Sequence, residues 1–279
     1  MEKYTTHIKA KTGWFDIDLN ELWQYRDLIL LFVKRNYSTR YKQTILGPLW
    51  LILNPLITVT LYALVFGNLA GLSTDDSPLF AFYLCSNAIW SYFATCITQT
   101  SNTFITNSAI MGKVYFPRLV MPISSVITGI LDLLIQVMML AVIIMIYILT
   151  GTRMQTGVTL LLTPLLIIQT ALLGLGCGII IASCTTRYRD LTVLASFGVQ
   201  LWMYASPVVY TTSTIPERFY GIYMLNPMAS IIVTWRYAIL GTGEFPINYW
   251  GISWIITILV LMMGVLLFSR VEKTFMDTV

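Results

Sequence analysis

Six long runs of apolar residues, uncharged or nearly so, divide the chain. A helix of about 20 residues, rising 1.5 Å per residue, covers a hydrocarbon core roughly 30 Å thick. The pattern therefore predicts six membrane-spanning helices rather than the core of a soluble domain. The predicted spans are Ile45–Phe66, Leu79–Ser101, Leu119–Leu149, Val158–Ala182, Leu191–Tyr210 and Tyr249–Phe268.

The segment before the first run mixes apolar and basic residues. Its apolar residues recur at three- and four-residue steps, which gathers them on one face of a helix. We expect an amphipathic helix in the lipid headgroup layer, with this face towards the membrane; an ordinary surface helix packed on protein is the alternative. The face comprises Leu22, Tyr25, Ile29, Phe32 and Val33, and the basic residues are Arg26, Lys34, Arg35, Arg40 and Lys42.

The connection from Thr211 to Asn248 contains an apolar run, Met228–Leu240, that is too short to cross a bilayer and is interrupted by Arg236. Apolar runs of about 10 to 14 residues are more typical of re-entrant or interfacial helices. We therefore predict two short helices that dip into the outer leaflet, over about residues 212–246. A seventh span is the alternative.

The distribution of Lys and Arg predicts the orientation of the chain. With the N-terminus inside and six spans, 14 of the 17 Lys and Arg residues fall in cytoplasmic segments. Because cytoplasmic loops carry an excess of positive charge, both termini are expected to be cytoplasmic. A seventh span would place the C-terminus outside, against this bias.

Composition supports the membrane class. The chain has 57% hydrophobic and 11% charged residues and a mean hydropathy of +0.74. Soluble domains have about 25% charged residues. We expect an all-α integral membrane protein with a cytoplasmic arm and amphipathic helix over residues 1–44, a membrane domain over 45–268 and a cytoplasmic tail over 269–279.

Asp132 is the only acidic or basic residue inside a predicted span. A charged side chain in lipid would cost several kcal/mol, so Asp132 is expected to face protein or water. Gln136 lies one helical turn further on and could bond to it. Two interpretations remain open: a polar lining or coupling residue, or a buried carboxylate satisfied by Gln136 or by a partner helix.

Aromatic and glycine residues offer further candidates. Tyr62, Trp202 and Tyr204 could line a conduit, since an aromatic ring suits the apolar face of a sugar; interface anchoring or packing is the simpler interpretation of each. Gly174 and Gly178 form a G-x-x-x-G pair, which predicts close packing of two helices.

Signatures of catalysis are missing from the sequence. It contains no G-x-x-x-x-G-K-[ST] phosphate loop, H-E-x-x-H or G-x-S-x-G. The four cysteines form no C-x-x-C pair and the chain has a single histidine, so no metal site is predicted. We expect a transport subunit without catalytic residues or a cofactor of its own, and no nucleic-acid partner.

A series of motifs covers nearly the whole chain, from about residue 20 to residue 275. In order, these motifs are RYKQTILGPLWLILNPL, FAFYLCSNAIWSYF, GKVYFPRLVMPIS, RYRDL and LNPMASIIVTWRYAIL. Their combined spacing resembles the membrane subunit of ABC-2 type polysaccharide exporters, which include the O-antigen, capsule and teichoic-acid permeases.

This resemblance implies a homodimer of six-span subunits with two copies of a separate ABC ATPase docked below. The ATPase would bind ATP and Mg, and the cargo would be a lipid-linked polysaccharide, with O-antigen expected first. The complex would lie in the bacterial cytoplasmic (inner) membrane. ATP-induced closure of the ATPases would push coupling helices and open a channel between the two permease copies.

The resemblance also implies roles for individual residues. A gate helix at the cytoplasmic entrance, about Leu22–Arg40, would include Tyr25, Arg26, Phe32, Lys34, Arg35 and Arg40. A coupling helix around Ile105–Pro117 and the RYRDL turn would meet the ATPase through Ile110, Met111, Lys113, Arg118, Arg187 and Arg189. The channel lining would include Tyr62, Trp202, Tyr204 and Asp132. The re-entrant helices would contribute Arg218, Trp235 and Arg236 to an outer gate.

Three other functions remain open. An ABC-2 exporter could carry teichoic acid, a lipid or a drug, although the aromatic richness and RYKQTILGPLW favour polysaccharide. A stand-alone secondary transporter or channel is a different class, and the lone Asp132 and the lack of a visible repeat argue against it. A membrane-embedded transferase would need a catalytic constellation that the sequence lacks.

Overall fold

A computed structural model describes residues 19–42, 44–111, 113–151, 158–185 and 190–274. Within these ranges every regular element is a helix, as predicted, and no strand occurs. The α-helices are α1 Leu19–Gln24, α2 Arg26–Tyr41, α3 Trp50–Tyr62, α4 Leu79–Ser101, α5 Thr103–Met111, α6 Val120–Leu149, α7 Thr163–Thr185, α8 Leu191–Tyr204, α9 Glu217–Met224, α10 Pro227–Leu240 and α11 Ile247–Thr274.

Five helical segments in the described part of the chain are long and apolar enough to cross a membrane. They coincide with five of the six predicted spans, and α4 has the predicted bounds. The chain is therefore a multi-pass membrane protein. The five segments are Gly47–Leu69, Leu79–Ser101, Val120–Leu149, Thr159–Thr185 and Ile247–Arg270.

The remaining predicted span, Leu191–Tyr210, contains a shorter helix than expected. α8 ends at Tyr204, and its 14 residues cover about 21 Å, less than the hydrocarbon core. The residues that follow form turns, and the Tyr210 hydroxyl donates a hydrogen bond to the Tyr204 carbonyl at 2.9 Å. The length of α8 alone therefore does not confirm a sixth crossing.

The bundle is built around α4, which packs against α3, α6, α7, α8 and α10. Sixteen of its 23 residues are buried. Because apolar and aromatic residues occur on every side of this helix, it can be covered all round, whereas an amphipathic helix would keep one side outside. The main apolar core of the protein therefore surrounds α4.

Glycines bring α7 into close contact with two neighbouring helices. A Cβ atom placed on Gly174 would lie 2.6 Å from the Cys96 Cβ of α4, and one on Gly178 would lie 2.5 Å from the Thr100 Cβ. Gly176 faces the other side, where a Cβ would lie 2.9 Å from the backbone of α11. The close packing predicted from the G-x-x-x-G pair is confirmed.

α1 and α2 confirm that the segment before the first span is helical, but they do not confirm which surroundings its apolar face meets. The predicted apolar face belongs to a second apolar cluster, in which Ile29 and Phe32 are buried against the protein. At Ile29 and Phe32 the face is covered by protein and not by lipid, because α5, α6, α7 and α11 provide an apolar surface for these two residues. The position of α2 in the headgroup layer stays a prediction. The partners of the two buried residues in this cluster are Phe104, Phe116, Val120, Met121, Ile179, Ala182 and Phe268.

Two short helices, α9 and α10, occupy the connection for which two were predicted. The Asn226 side chain caps α10 by accepting a hydrogen bond from the Met228 amide, and Gly241 ends it in a left-handed conformation with φ of 70°. α10 is buried along most of its length against α4, α7 and α11. Their depth in the outer leaflet stays a prediction.

Candidate functional site

The first part of the candidate site is a junction between α2 and the segment that follows α4. The Arg35 Nη2 donates a hydrogen bond to the Asn107 Oδ1 of α5 at 2.7 Å. The Arg35 guanidinium also lies 4.7 Å from the centre of the Phe32 ring, whose own centre lies 5.8 Å from that of Phe116. α2 therefore contacts both α5 and the loop behind it.

Partial burial at this junction lowers the pKa of the Arg35 guanidinium. Its ordinary pKa is so far above neutrality that the group keeps its charge. The hydrogen bond to Asn107 is therefore charge-assisted, a stronger class than a hydrogen bond between neutral groups.

The coupling segment, residues 102–119 between α4 and α6, contains α5 in the region where a coupling helix was expected. Phe104 anchors it, because this buried ring stacks on Phe268 with the ring centres 5.0 Å apart. Ile110 packs at the edge of the second apolar cluster, and Arg118 is half-buried. The exposed residues of the segment include Ile105, Lys113, Val114 and Tyr115.

Three of the predicted coupling positions lie outside what the structure describes. Arg187 and Arg189 fall between the described ranges, and the side chain of Met111 is not among those described. Of the gate-helix residues, Tyr25 and Phe32 belong to the second apolar cluster. Arg26 and Lys34 are exposed.

The second part of the site is an ion pair between α2 and α6. The Arg40 Nη1 donates to the Asp132 Oδ2, and the two side chains are 31% and 17% exposed. Gln136 bonds instead to Ser91 of α4, with its Nε2 donating to the Ser91 Oγ at 3.1 Å. The hydrogen bond from Gln136 to Asp132 that the sequence left open is not formed, and a partner helix satisfies the carboxylate.

A cavity of about 490 Å³ lies beside this ion pair, between α3, α4 and α6. Asn87 and Ser91 were not predicted to be part of a site. Their spacing of four residues within an apolar span was a visible signal, because it places both on one face of α4. The lining residues are Arg40, Trp50, Leu51, Asn54, Pro55, Thr58, Asn87, Ser91, Tyr92, Thr95, Gly129, Asp132, Leu133 and Gln136.

The third part is the aromatic set predicted to line a channel. The Tyr62 hydroxyl donates to the Met203 Sδ at 3.3 Å, which links α3 to α8. The Trp202 Nε1 donates to the Asn226 Oδ1 at 3.0 Å. These contacts favour packing for Tyr62 and Trp202, whereas Tyr204 is 53% exposed and is the most open of the three.

The residues predicted to form an outer gate occupy two different environments. Trp235 is fully buried, and its Nε1 donates to the Cys85 carbonyl of α4 at 3.0 Å. Arg236 is also buried and donates to the Tyr210 carbonyl at 3.2 Å. Arg218 is exposed on α9. Their positions favour packing for Trp235 and Arg236, and the role in a gate stays a prediction.

Comparisons with known proteins give a consistent result. Residues 27–240 match the ABC-2 type transporter family. The O-antigen export system permease protein RfbA of Klebsiella pneumoniae is 28% identical over 253 residues, covering 90% of this chain and 94% of that protein. The protein of the same name from Myxococcus xanthus is 30% identical over 221 residues, or 78% and 82% of the two chains. The inner membrane transport permease YadH of Escherichia coli (strain K12) is 23% identical over 212 residues, or 69% and 77%.

Proposed function

Because the chain belongs to the ABC-2 type transporter family, we propose that it is the membrane-spanning subunit of an ATP-driven exporter of a lipid-linked polysaccharide, with O-antigen as its cargo. The observation that carries the proposal is the similarity to O-antigen export permeases over nearly the full length of both chains. A similarity of this extent includes the spans, the gate-helix segment and the coupling segment together.

The functional unit in this proposal is a homodimer of six-span subunits, with the channel between the two copies. α3 and α8 carry large apolar side chains that are exposed in the single chain, and a second copy is one surface that would cover them. In this arrangement α8 and the turns up to Tyr210 form the fifth crossing. The exposed residues include Ile57 and Leu61 of α3 and Leu194, Phe197 and Leu201 of α8.

Two ATPase subunits would dock on the cytoplasmic side and bind ATP and Mg. Their closure would press on α5 and on the exposed residues of the coupling segment. The bond from Arg35 to Asn107 and the contact of Phe32 with Phe116 would transmit this displacement to α2. α2 would then move at the entrance, admit the head group and first sugars, and let the polymer slide over aromatic side chains such as Tyr204.

A second candidate differs in cargo only. The similarity to the inner membrane transport permease YadH extends over 69% of this chain, and that name specifies no cargo. An ABC-2 exporter of teichoic acid, a lipid or a drug is therefore the alternative. A stand-alone secondary transporter has little support. Such a transporter would need Asp132 to bind a coupling ion, whereas this carboxylate is ion-paired with Arg40.

The test combines a deletion strain with purification of the complex. We expect deletion of the gene in its native host to remove surface polysaccharide and to leave lipid-linked polymer inside the cell, as seen on gels of both fractions. A tagged chain isolated in mild detergent should bring down an ATPase in about equal amount. Normal surface polysaccharide in the deletion strain would reject the cargo, and a chain that elutes alone in several detergents would count against the ATPase partner.

A further inference from the structure

Polar side chains from three membrane-spanning helices converge on the cavity between α3, α4 and α6. Asn54 and Thr58 come from α3, Asn87, Ser91 and Thr95 from α4, and Asp132 and Gln136 from α6. Polar groups inside a membrane are unfavourable unless they are paired, and those that remain mark pathways or ligand sites. Seven such groups around one cavity, in a chain with 11% charged residues, need an explanation beyond packing.

Asn87 is the most informative of these residues. Its side chain is only 6% exposed and lines the cavity, yet its amide makes no hydrogen bond to any described residue. Among the described residues, the buried side-chain atoms without a hydrogen-bond partner belong to Tyr83, Ser86 and Thr100, so the amide of Asn87 is open to the cavity and is not enclosed by protein. Asn87 therefore offers both a donor and an acceptor to whatever occupies the cavity.

The charged residues that line the same cavity indicate what kind of group would fit. Arg40 and Asp132 neutralise each other across the cavity edge, so the site has no net charge to attract an isolated phosphate or ammonium group. Gln136 and Ser91 add amide and hydroxyl groups. Side by side, these groups can donate to and accept from neighbouring hydroxyls, as an uncharged sugar requires.

The walls and the size of the cavity agree with a sugar. Trp50 and Tyr92 supply aromatic rings, which offer an apolar surface to the faces of a sugar ring. The volume of about 490 Å³ lies within the range of roughly 300–1,000 Å³ that is usual for small-molecule sites. The cavity belongs to one chain, unlike the proposed channel, which lies between two copies.

We propose that this cavity binds the uncharged, hydroxyl-rich sugar head group of a glycolipid, held by Asn54, Asn87, Gln136 and the pair of Arg40 with Asp132. The inference deepens the proposed function, because it assigns a resting site to the sugars next to the lipid anchor. A head group bound there would wait inside the permease, beside α2, before it moves to the channel.

The test is photolabelling of the full-length chain, with any subunits that co-purify, in nanodiscs free of sugar detergents. The probes are alkyl glycosides of mannose, galactose, glucose and N-acetylglucosamine that carry a diazirine next to the sugar. The variants are Asn87→Leu, which removes the buried amide, and Asn54→Leu, at an exposed position that tolerates an apolar side chain. Thr170→Val is the matched control, because Thr170 is buried in α7 and does not line the cavity.

At least one glycoside should label the lining segments of α3, α4 or α6, and unlabelled glycoside should compete. Asn87→Leu and Asn54→Leu should each weaken the labelling affinity about fivefold, the effect of losing one neutral hydrogen bond, while Thr170→Val behaves as the parent. Asn54→Leu decides the matter if Asn87→Leu does not fold. Equal labelling of parent and variants, labelling elsewhere, or equal competition by an alkyl phosphocholine would overturn the inference.

This outcome can be separated from that of the proposed function. Labelling is measured on purified protein and does not require export or a known cargo. Export by the intact chain without labelling in the cavity would reject the head-group site alone. Labelling in the cavity with normal surface polysaccharide in the deletion strain would reject the proposed cargo alone.

Discussion

At the scale of single residues, Asp132 illustrates how a carboxylate is accommodated in an apolar helix. Its ionised form would be too costly in lipid, and the structure compensates with the guanidinium of Arg40 from a helix 92 residues earlier in the chain. No sequence pattern predicts this ion pair, because the two residues come together only through the packing of α2 on α6. The nearer candidate, Gln136, is engaged by Ser91.

We predict that Asp132→Ala and Arg40→Ala each lower the free energy of unfolding by about 1–3 kcal/mol. The loss should be smaller than the 3–5 kcal/mol typical of fully buried pairs, since the two side chains are 17% and 31% exposed. The measurement is thermal unfolding of the purified protein in detergent. The charge-swapped double variant, Arg40→Asp with Asp132→Arg, should recover part of the lost stability.

A matched control for this prediction is Lys34→Ala. Lys34 is a basic residue on the same helix, but it is exposed and makes no ion pair with a described residue. Its substitution should therefore leave the unfolding temperature close to that of the parent. Equal losses for Lys34→Ala and Arg40→Ala would mean that the ion pair does not stabilise the fold.

At the scale of elements, the helices show which features hydrophobic periodicity predicts and which it does not. Leu79–Ser101 was predicted with its observed bounds, because length and the absence of charge suffice to define a buried span. The apolar face of α2 was also identified, but its partner was not. Apolar residues that recur every three or four positions indicate that one face of a helix is apolar, but they do not indicate whether lipid or protein covers that face.

The same limit applies to α8 and to the candidate site. The apolar run continues to Tyr210, so the pattern overestimated the length of α8, which ends at Tyr204. The contacts of Arg35 with Asn107 and of Arg40 with Asp132 depend on how helices cross, which a single sequence does not state. Asn87 was within reach of sequence reasoning, as a polar residue in the middle of an apolar span.

The junction between α2 and α5 leads to a prediction about coupling. Arg35→Ala and Asn107→Ala each remove one side of the same hydrogen bond. If this contact transmits motion, each variant should still assemble with the ATPase but should export about tenfold less surface polysaccharide, because hydrolysis no longer moves α2. The measurements are polysaccharide gels from cells and ATPase assays of the purified complex.

Thr106→Ala serves as the control for the coupling prediction. Thr106 is an exposed neighbour of Asn107 on α5, so its substitution changes the same helix without touching the junction. Export by Thr106→Ala should match the parent. Parental export by both Arg35→Ala and Asn107→Ala would show that the hydrogen bond is not part of the transmission.

The glycines of α7 lead to a prediction about packing. Gly178→Leu should destabilise the protein by about 3 kcal/mol or more, because its side chain would overlap Thr100 at the crossing of α7 with α4. Gly251→Ala is the control, since a Cβ at this position of α11 meets no atom within 4 Å. Thermal unfolding of both variants in detergent measures the difference. A Gly178→Leu variant as stable as the parent would show that α4 and α7 can separate at little cost.

At the scale of the whole molecule, the number of crossings decides where the C-terminus lies. Among the residues that the structure describes, five helical segments have the length and composition of spans, whereas α8 and α10 have 14 residues each. With the N-terminus inside, five or seven crossings place the C-terminus outside, and six place it inside. The excess of Lys and Arg in alternate connections favours six, since an odd number reverses the side of the final basic residues, Arg270 and Lys273.

We therefore predict that α8 crosses the membrane and that α9 and α10 return to the outer side. In a background without the four native cysteines, single cysteines at Ser213 and Glu244 should both react with an impermeant maleimide in intact cells. A cysteine at Lys113 should react only after the membrane is opened. All three positions are exposed, so failure to react reports the side of the membrane rather than burial.

A fusion of green fluorescent protein or alkaline phosphatase to the C-terminus completes this experiment. Six crossings predict a fluorescent fusion and an inactive phosphatase, because the phosphatase folds only outside the cytoplasm. Seven crossings predict an active phosphatase together with labelling at Ser213 but not at Glu244. Five crossings, with α8 turned back, predict an active phosphatase and no labelling at Ser213. Each topology gives a different combination, so the three measurements together decide whether a 14-residue helix with its following turns can serve as a span.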